Sequence, residues 1–218
     1  MSRIDFAARR RAMVAQQIEA RGVTDARVLA AMRAVPRENF VSPSWQDEAY
    51  HDSPLPIEGK QTISQPYIVA LMAEALQLKG DERVLEVGTG SGYAAAVLAR
   101  LAAEVHSVEC IPVLAGLATK RLAAQGCSNV TVHRGDGSLG WPEAAPYDAV
   151  VVTAAGPDVP AALKAQLKLG GRLVMPVGER HGLQDLLRLT RTGEHDERRE
   201  LLLPVRFVPL TGEQGWPG

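Results

Sequence analysis

Three observations predict an α/β chain built on a doubly wound, mostly parallel sheet with an antiparallel edge. From residue 83 onward, short β-branched runs alternate with helix-forming segments. The run Val84-Leu85-Glu86-Val87 passes through Gly88-Thr89-Gly90-Ser91-Gly92 straight into Tyr93 and an alanine-rich series, the outline of a strand, a tight turn and a helix start. The last two strand-like runs have no helix between them, so they should pair antiparallel.

Residues 4–21 and 25–35 read as helices separated by Gly22-Val23-Thr24, with Thr24 or Asp25 opening the second and Pro36 just past its end. Val28, Leu29, Met32 and Val35 share one face, so the second helix docks on something. Residues 36–62 are rich in Pro, Ser, Asp and Glu yet carry Phe40, Trp45 and Tyr50. Irregular segments of that length inside compact proteins commonly act as lids or binding loops, and 36–65 are expected to close over a ligand. Pro66 suits the first turn of a helix running to Leu78. Strands are then predicted at 83–87, 106–109, 130–133, 147–153 and 172–177, with helices at 92–102, 112–125 and 159–168. The final runs, 186–192 and 201–210, are joined by charged residues. Pro204 and Pro209 would be unwelcome in a central strand and assign the last run to an edge, whose backbone is open to an extended peptide. Trp141 and Tyr147 read as packing residues. The chain divides into helices and loop, 1–65, packed on a core, 66–218, as one compact unit.

Composition narrows the function. At 218 residues, 46% hydrophobic and 22% charged, the chain can bury a sizeable core. A formal net charge of −1 gives no bulk attraction to nucleic acid or to an anionic membrane. No apolar run approaches membrane-span length, and no apolar leader opens the chain. Arg3, Arg9, Arg10 and Arg11 hint at a transit peptide, but Asp5 and Glu19 break that pattern, and a solvated helix face is the plainer reading. Cys110 and Cys127 lack metal or redox spacing, which predicts a reducing compartment and no disulfide framework, and no metal is expected. A cytoplasmic monomer is expected.

In an open parallel sheet, ligands bind beyond the carboxyl ends of the strands, near the point where strand order reverses. The glycine turn ends the first strand. Glu109 closes the second, where a carboxylate can accept hydrogen bonds from two vicinal ribose hydroxyls. Asp136-Gly137 follows the third, where a carboxylate and a free N–H can read an adenine edge. Singly, each has a bland counterpart: a tight βα corner, a solvated strand-end charge, a common turn dipeptide. Together they point to an adenosine-containing ligand. The G-x-G-x-G spacing disfavours a dinucleotide, whose diphosphate uses G-x-G-x-x-G and the helix start behind it. S-adenosylmethionine carries no phosphate and fits the corner better.

Several segments then resemble the protein-L-isoaspartate O-methyltransferase family of class I S-adenosylmethionine-dependent, Rossmann-like enzymes. They are Val84–Tyr93, Gln61-Thr62-Ile63-Ser64-Gln65-Pro66, Gly135-Asp136-Gly137, Val152–Ala155, Leu173–Gly178 and Arg206–Leu210, in the family's order between about Met13 and Leu210. The Gln61–Pro66 block is the specific one, since other methyltransferases share only the glycine corner. The resemblance implies methyl transfer to the α-carboxylate of L-isoaspartyl residues in damaged proteins and peptides, whose ester collapses to a succinimide that partly reopens as aspartate. It implies Ser64 as the active-site residue, and Thr62, Ile63, Glu86, Gly88, Gly90, Glu109, Asp136, Gly137 and Thr211 as cofactor-binding positions. Members often carry glycine at the places of Glu58 and Lys60, so this loop should be stiffer or differently bent.

The chemistry asks for little. A peptide α-carboxyl has a pKa of roughly 3.3–3.7, so the nucleophile is already an anion at neutral pH and needs no general base. Alignment of oxygen, methyl and sulfur with water excluded is what remains to be supplied. Ser64 would then orient the carboxylate as a donor. Its bland alternative is a helix N-cap ahead of Pro66, worth about 1 kcal/mol. The competing functions are a class I methyltransferase with another small-molecule or protein acceptor, and a non-catalytic adenosine-binding interaction protein.

Overall fold

A computed structural model describes residues 5–217. Arg3 and Ile4, the latter the expected start of the first helix, lie outside the described residues, as does Gly218. Helix α1, Phe6–Met13, is capped by the Asp5 carboxylate, which accepts from the Ala8 N–H at 2.9 Å. It continues through a π turn, Val14–Ile18, and a 3-10 turn, Glu19–Arg21, and stops at left-handed Gly22. Asp25 caps α2, Ala26–Ala34, by accepting from Arg27 and Val28 N–H groups, so the second helix opens on Asp25.

Residues 36–65 contain short 3-10 turns and a two-residue ladder, β1, Leu55–Pro56, paired antiparallel with β2, Thr62–Ile63. Much of this segment belongs to the core: Arg37, Phe40, Ala49, Tyr50 and Leu55 are buried against α2, α3 and α4. A wholesale lid movement of 36–65 would expose that surface at about 25 cal/mol per Å². The part able to move cheaply is the loop 57–62, where Gly59 and Lys60 are exposed.

Helix α3 is Pro66–Ala75, with Pro66 at its first turn as anticipated. The main sheet has seven strands in the order β5-β4-β3-β6-β7-β8-β9. These are β3, Arg83–Val87; β4, Glu104–Glu109; β5, Val130–Arg134; β6, Tyr147–Val152; β7, Leu167–Gly178; β8, Gln184–Arg191; and β9, Glu197–Val205. The five strands β3 to β7 run parallel, and β8 and β9 add antiparallel at one edge. Helices α4, Tyr93–Leu98, α5, Pro112–Ala124, and α6, Ala161–Ala165, complete the crossovers. One buried cluster joins the N-terminal helices to α3, α4 and one sheet face, and a second lies under α6 on the other face.

Most boundaries fall within four residues of expectation, and two shift by five. Strand β7 starts at Leu167, because Tyr147 pairs with Leu167 ahead of a register shift that absorbs Gly170-Gly171. The last strand ends at Val205, with Pro204 on the outermost strand as its missing N–H requires. Residues 206–211 leave the sheet edge and cross to the end of β6. There the Ala155 N–H donates to Val208 O and the Leu210 N–H to Ala155 O, both at 2.8 Å. Trp141 and Tyr147 pack as expected: Trp141 stacks on His133 at 4.1 Å, and the Tyr147 hydroxyl donates to Trp141 O at 2.6 Å.

Candidate active site

Strand order reverses between β3 and β6, so a cleft opens beyond Val87 and Val152. Gly88 sits in this opening with φ +93°, its N–H donating to Val108 O at 2.8 Å and its carbonyl accepting from the Thr153 hydroxyl at 2.7 Å. The Gly90 N–H donates to Glu109 Oε2 at 2.8 Å, while Glu109 Oε1 accepts from the Ile111 N–H at 2.9 Å. Those two bonds hold the carboxylate at the cleft wall, and each oxygen keeps acceptor capacity for a diol.

The cleft measures about 180 Å³ and is lined by Gln61, Thr62, Gly88, Gly90, Glu109, Gly137 and Thr211 with apolar neighbours. A Cβ on Gly137 would lie 2.5 Å from Val87 Cγ1, so close packing as well as ligand access calls for glycine there. Its lining holds one acid and no lysine or arginine. That donor set suits a cationic sulfonium and a ribose; a diphosphate would lack cationic partners.

A second cavity of about 350 Å³ lies beside it, lined by Arg21, Ser64, Gln65 and residues 203–208, Arg206 among them. Here the charge is reversed: the lining holds two arginines and no acid, with Arg21 paired to Asp52 outside the lining at 2.7 Å and Arg206 in no ion pair among the described residues. Thr62, Thr153 and Val208 line both cavities and form the wall between them. Ser64 does not cap α3, because the cap position is Gln65 and no side chain bonds the helix start there. Thr153, directly after β6, is a site residue that the sequence does not single out. Its signal is a lone hydroxyl directly following the apolar run Val150-Val151-Val152.

The remaining expected residues fall around this pair of cavities. Ile63 is buried and faces a small space shared with Ser64 and Thr89. Asp136 lies beside the cleft, with Thr211 in an adjoining open pocket. Its Oδ1 accepts from Ser138 N–H and Oγ at 2.9 and 2.7 Å, and Oδ2 accepts from the Glu213 N–H at 2.7 Å. Burial raises its pKa, but the Glu213 and Ser138 donors outweigh that and hold it below the usual carboxylate range. Asp136 thus ties residues 211–214 to the rim.

Glu86 stands beneath the corner, apart from the cleft lining. It is fully buried, hydrogen-bonded to Ser107, whose hydroxyl is shared with Thr89 Oγ1 at 2.6 Å, and its second oxygen has no partner among the described residues. Burial pushes its pKa up to about 8, with Ser107 opposing and Glu109 adding. Since the folded value exceeds the ordinary 4.5, folding takes up a proton between about pH 4.5 and 8. This carboxyl therefore costs nothing below that window, and stability falls as pH rises through it. Glu86→Gln should melt close to the parent at pH 5 and above it at pH 9. Parallel melting curves at both pH values would refute the ionisation cost.

Among the described residues no group of three His, Cys, Asp or Glu is placed to hold a metal, and no helix is long and apolar enough to cross a membrane.

Comparison with known proteins agrees with this geometry. A profile of the protein-L-isoaspartate(D-aspartate) O-methyltransferase (PCMT) family matches residues 8–215. Protein-L-isoaspartate O-methyltransferase 1 of Rhodopseudomonas palustris strain HaA2 is 64% identical over 211 residues, 97% of this chain and 86% of the relative. A solved protein-L-isoaspartate O-methyltransferase superposes with a TM-score of 0.85 at 32% identity, covering 94% of this chain and 67% of that one. A Plasmodium falciparum structure in complex with S-adenosyl-L-homocysteine has a TM-score of 0.79, covers 93% of this chain and 98% of its own, and at 23% identity shares the fold alone.

Proposed function

The chain belongs to the protein-L-isoaspartate(D-aspartate) O-methyltransferase family, and from that premise we propose how its two cavities divide the reaction. The chain methylates the α-carboxylate of L-isoaspartyl residues with S-adenosyl-L-methionine, leaving S-adenosyl-L-homocysteine and a methyl ester that collapses to succinimide with loss of methanol. One observation carries the division. An acid-lined cleft and an arginine-lined cavity share the wall Thr62–Thr153–Val208, matching a cationic donor on one side and an anionic acceptor on the other.

When bound, S-adenosylmethionine would supply an electrophilic methyl on a sulfonium for transfer to a carboxylate oxygen, with sulfur as the leaving atom. Glu109 would accept from the ribose hydroxyls, and the Gly88–Gly92 turn would let the ligand pass close to the backbone. Gly137, beside Asp136, offers its N–H to the base, and Thr211 closes the far rim. Ser64 donates to the acceptor carboxylate and fixes its direction. Thr62 and Ile63 hold the loop against the corner.

Loop 57–62 covers this cleft. The Ile57 N–H donates to Gln61 O at 2.9 Å, and Gly59 and Lys60 both take left-handed φ values, +67° and +57°. The loop is therefore bent at a non-glycine residue, and Glu58 is paired with Arg121 of α5 at 3.1 Å. That pair is a half-buried latch worth up to about 1 kcal/mol. Glu58→Gln should speed S-adenosylhomocysteine release about threefold to fivefold in stopped-flow measurements, and an unchanged rate would remove the latch.

Residues 1–65 act as a cap on the 66–218 core, and the chain works as a cytoplasmic monomer with no nucleic-acid partner. The net charge of −1 supports the last point. The deciding experiment offers an isoaspartyl peptide and its aspartyl twin with methyl-labelled S-adenosylmethionine. Label is expected in the isoaspartyl peptide alone; equal labelling of both, or none, overturns the reading.

A further inference from the structure

Arg37 is a buried cation with no anion in contact. It is 0% exposed, and among the described residues it forms no ion pair; the nearby Asp52 is paired with Arg21 at 2.7 Å. Burial lowers its pKa to about 10, so it stays charged at neutral pH. Its hydrogen bonds go to carbonyls far apart in sequence: Nε to Ala49 O and Nη1 to Ser64 O, each at 2.8 Å, and Nη2 to Ser53 O at 3.4 Å. The guanidinium carbon lies 5.1 Å from the centre of the Tyr93 ring. Tyr93 is the first residue of α4 and follows the glycine corner directly.

Burying a lone charge is costly, and a packing role at this point would be filled by methionine or leucine. What an apolar side chain cannot do is hold several carbonyls in one rigid fork. The fork holds the Ser64 carbonyl, on the acceptor side, and the guanidinium itself rests over Tyr93, the first residue of the helix that begins at the donor-side corner. We propose that Arg37 is a positioning residue for methyl transfer, setting the Ser64 backbone relative to the Gly88–Gly92 turn. The proposal rests on Ser64 orienting the acceptor. In-line transfer is sensitive to such placement, since misplacement by about 1 Å can cost a hundredfold in rate.

The test is a double-mutant cycle with Arg37→Lys and Ser64→Ala on the isoaspartyl peptide, alongside S-adenosylhomocysteine affinity and amide hydrogen exchange. Arg37→Lys should lower kcat about tenfold to a hundredfold, with S-adenosylhomocysteine Kd within about twofold. Exchange should quicken across residues 49–64 and stay unchanged in β5. In the Ser64→Ala background the same substitution should change kcat by less than about threefold, because the group it positions has gone. Equal losses in both backgrounds, or a loss confined to cofactor Kd, would overturn the proposal. Should Arg37→Lys fail to fold, Tyr93→Leu removes the ring under the guanidinium and must show the same dependence on Ser64. A wild-type enzyme inert toward the isoaspartyl peptide would instead overturn the functional reading and the proposal with it, an outcome distinct from additive losses in an active enzyme.

Discussion

Replacing Gly88 by alanine is expected to weaken S-adenosylhomocysteine binding about a hundredfold and to lower the melting temperature by several degrees. Two costs add. At φ +93° an L-residue is strained by about 1–3 kcal/mol. The new Cβ would also lie 2.5 Å from Thr153 Oγ1, whose hydroxyl holds the Gly88 carbonyl, and overpacking of this kind costs about 1–3 kcal/mol. The corner must shift to make room, and it is the wall of the cleft. Gly90→Ala provides the contrast. Its nearest neighbour would be Ile57 Cδ1 at an ordinary 3.6 Å, and φ +53° lies where an L-residue is strained by about 1–2 kcal/mol. A loss below about thirtyfold is expected there. Adding Thr153→Ala to Gly88→Ala removes the clashing oxygen and should recover part of the binding. Calorimetric titration and thermal melts on these three variants and the parent decide it, and equal losses for Gly88→Ala and Gly90→Ala would defeat the argument.

The features legible in the sequence are those that local pattern determines. Alternation of β-branched runs with helix formers between Arg83 and Val152 gives the parallel strands in order, and Asp25 and Pro66 announce their helices. Pro204 correctly places its strand at an edge, because a missing N–H is a local fact. The crossing of 206–211 is not local. Phe207-Val208-Pro209-Leu210 looks like more strand, and only the carbonyl and N–H of Ala155, brought there by the fold, give it another partner. Glu86 and Glu109 look alike in sequence, both acids on β-strands. They differ because Glu109 is the last residue of β4 and reaches the cleft, whereas Glu86 lies inside β3 and turns toward Ser107. Arg37 was the least legible. An arginine in a polar stretch reads as solvated, and its carbonyl partners at 49, 53 and 64 converge only once the loop is folded.

Ser64→Ala should lower kcat for the isoaspartyl peptide about tenfold to a hundredfold while leaving S-adenosylhomocysteine affinity within about threefold. The magnitude follows from removing one hydrogen bond to a charged acceptor, about 1.5–3 kcal/mol. The separation of effects follows from the geometry. Ser64 lines the arginine-lined cavity and does not line the acid-lined cleft, meeting the glycine corner only across a narrow space of about 40 Å³, and its hydroxyl caps no helix that its loss would loosen. The acceptor carboxylate is ionised well below neutral pH, and neither cavity is lined by histidine, so Ser64 has no proton to pass on. The pH dependence of kcat should therefore keep its shape in the variant and shift only in height. Ser64→Thr, which retains the hydroxyl, should keep more activity than Ser64→Ala if the added methyl is accommodated, and Ser64→Cys, a weaker donor, should fall between serine and alanine. A fall in cofactor affinity as large as the fall in kcat, or a new step in the pH profile, would show that the hydroxyl serves the donor cleft or a proton transfer and not the aim of the acceptor.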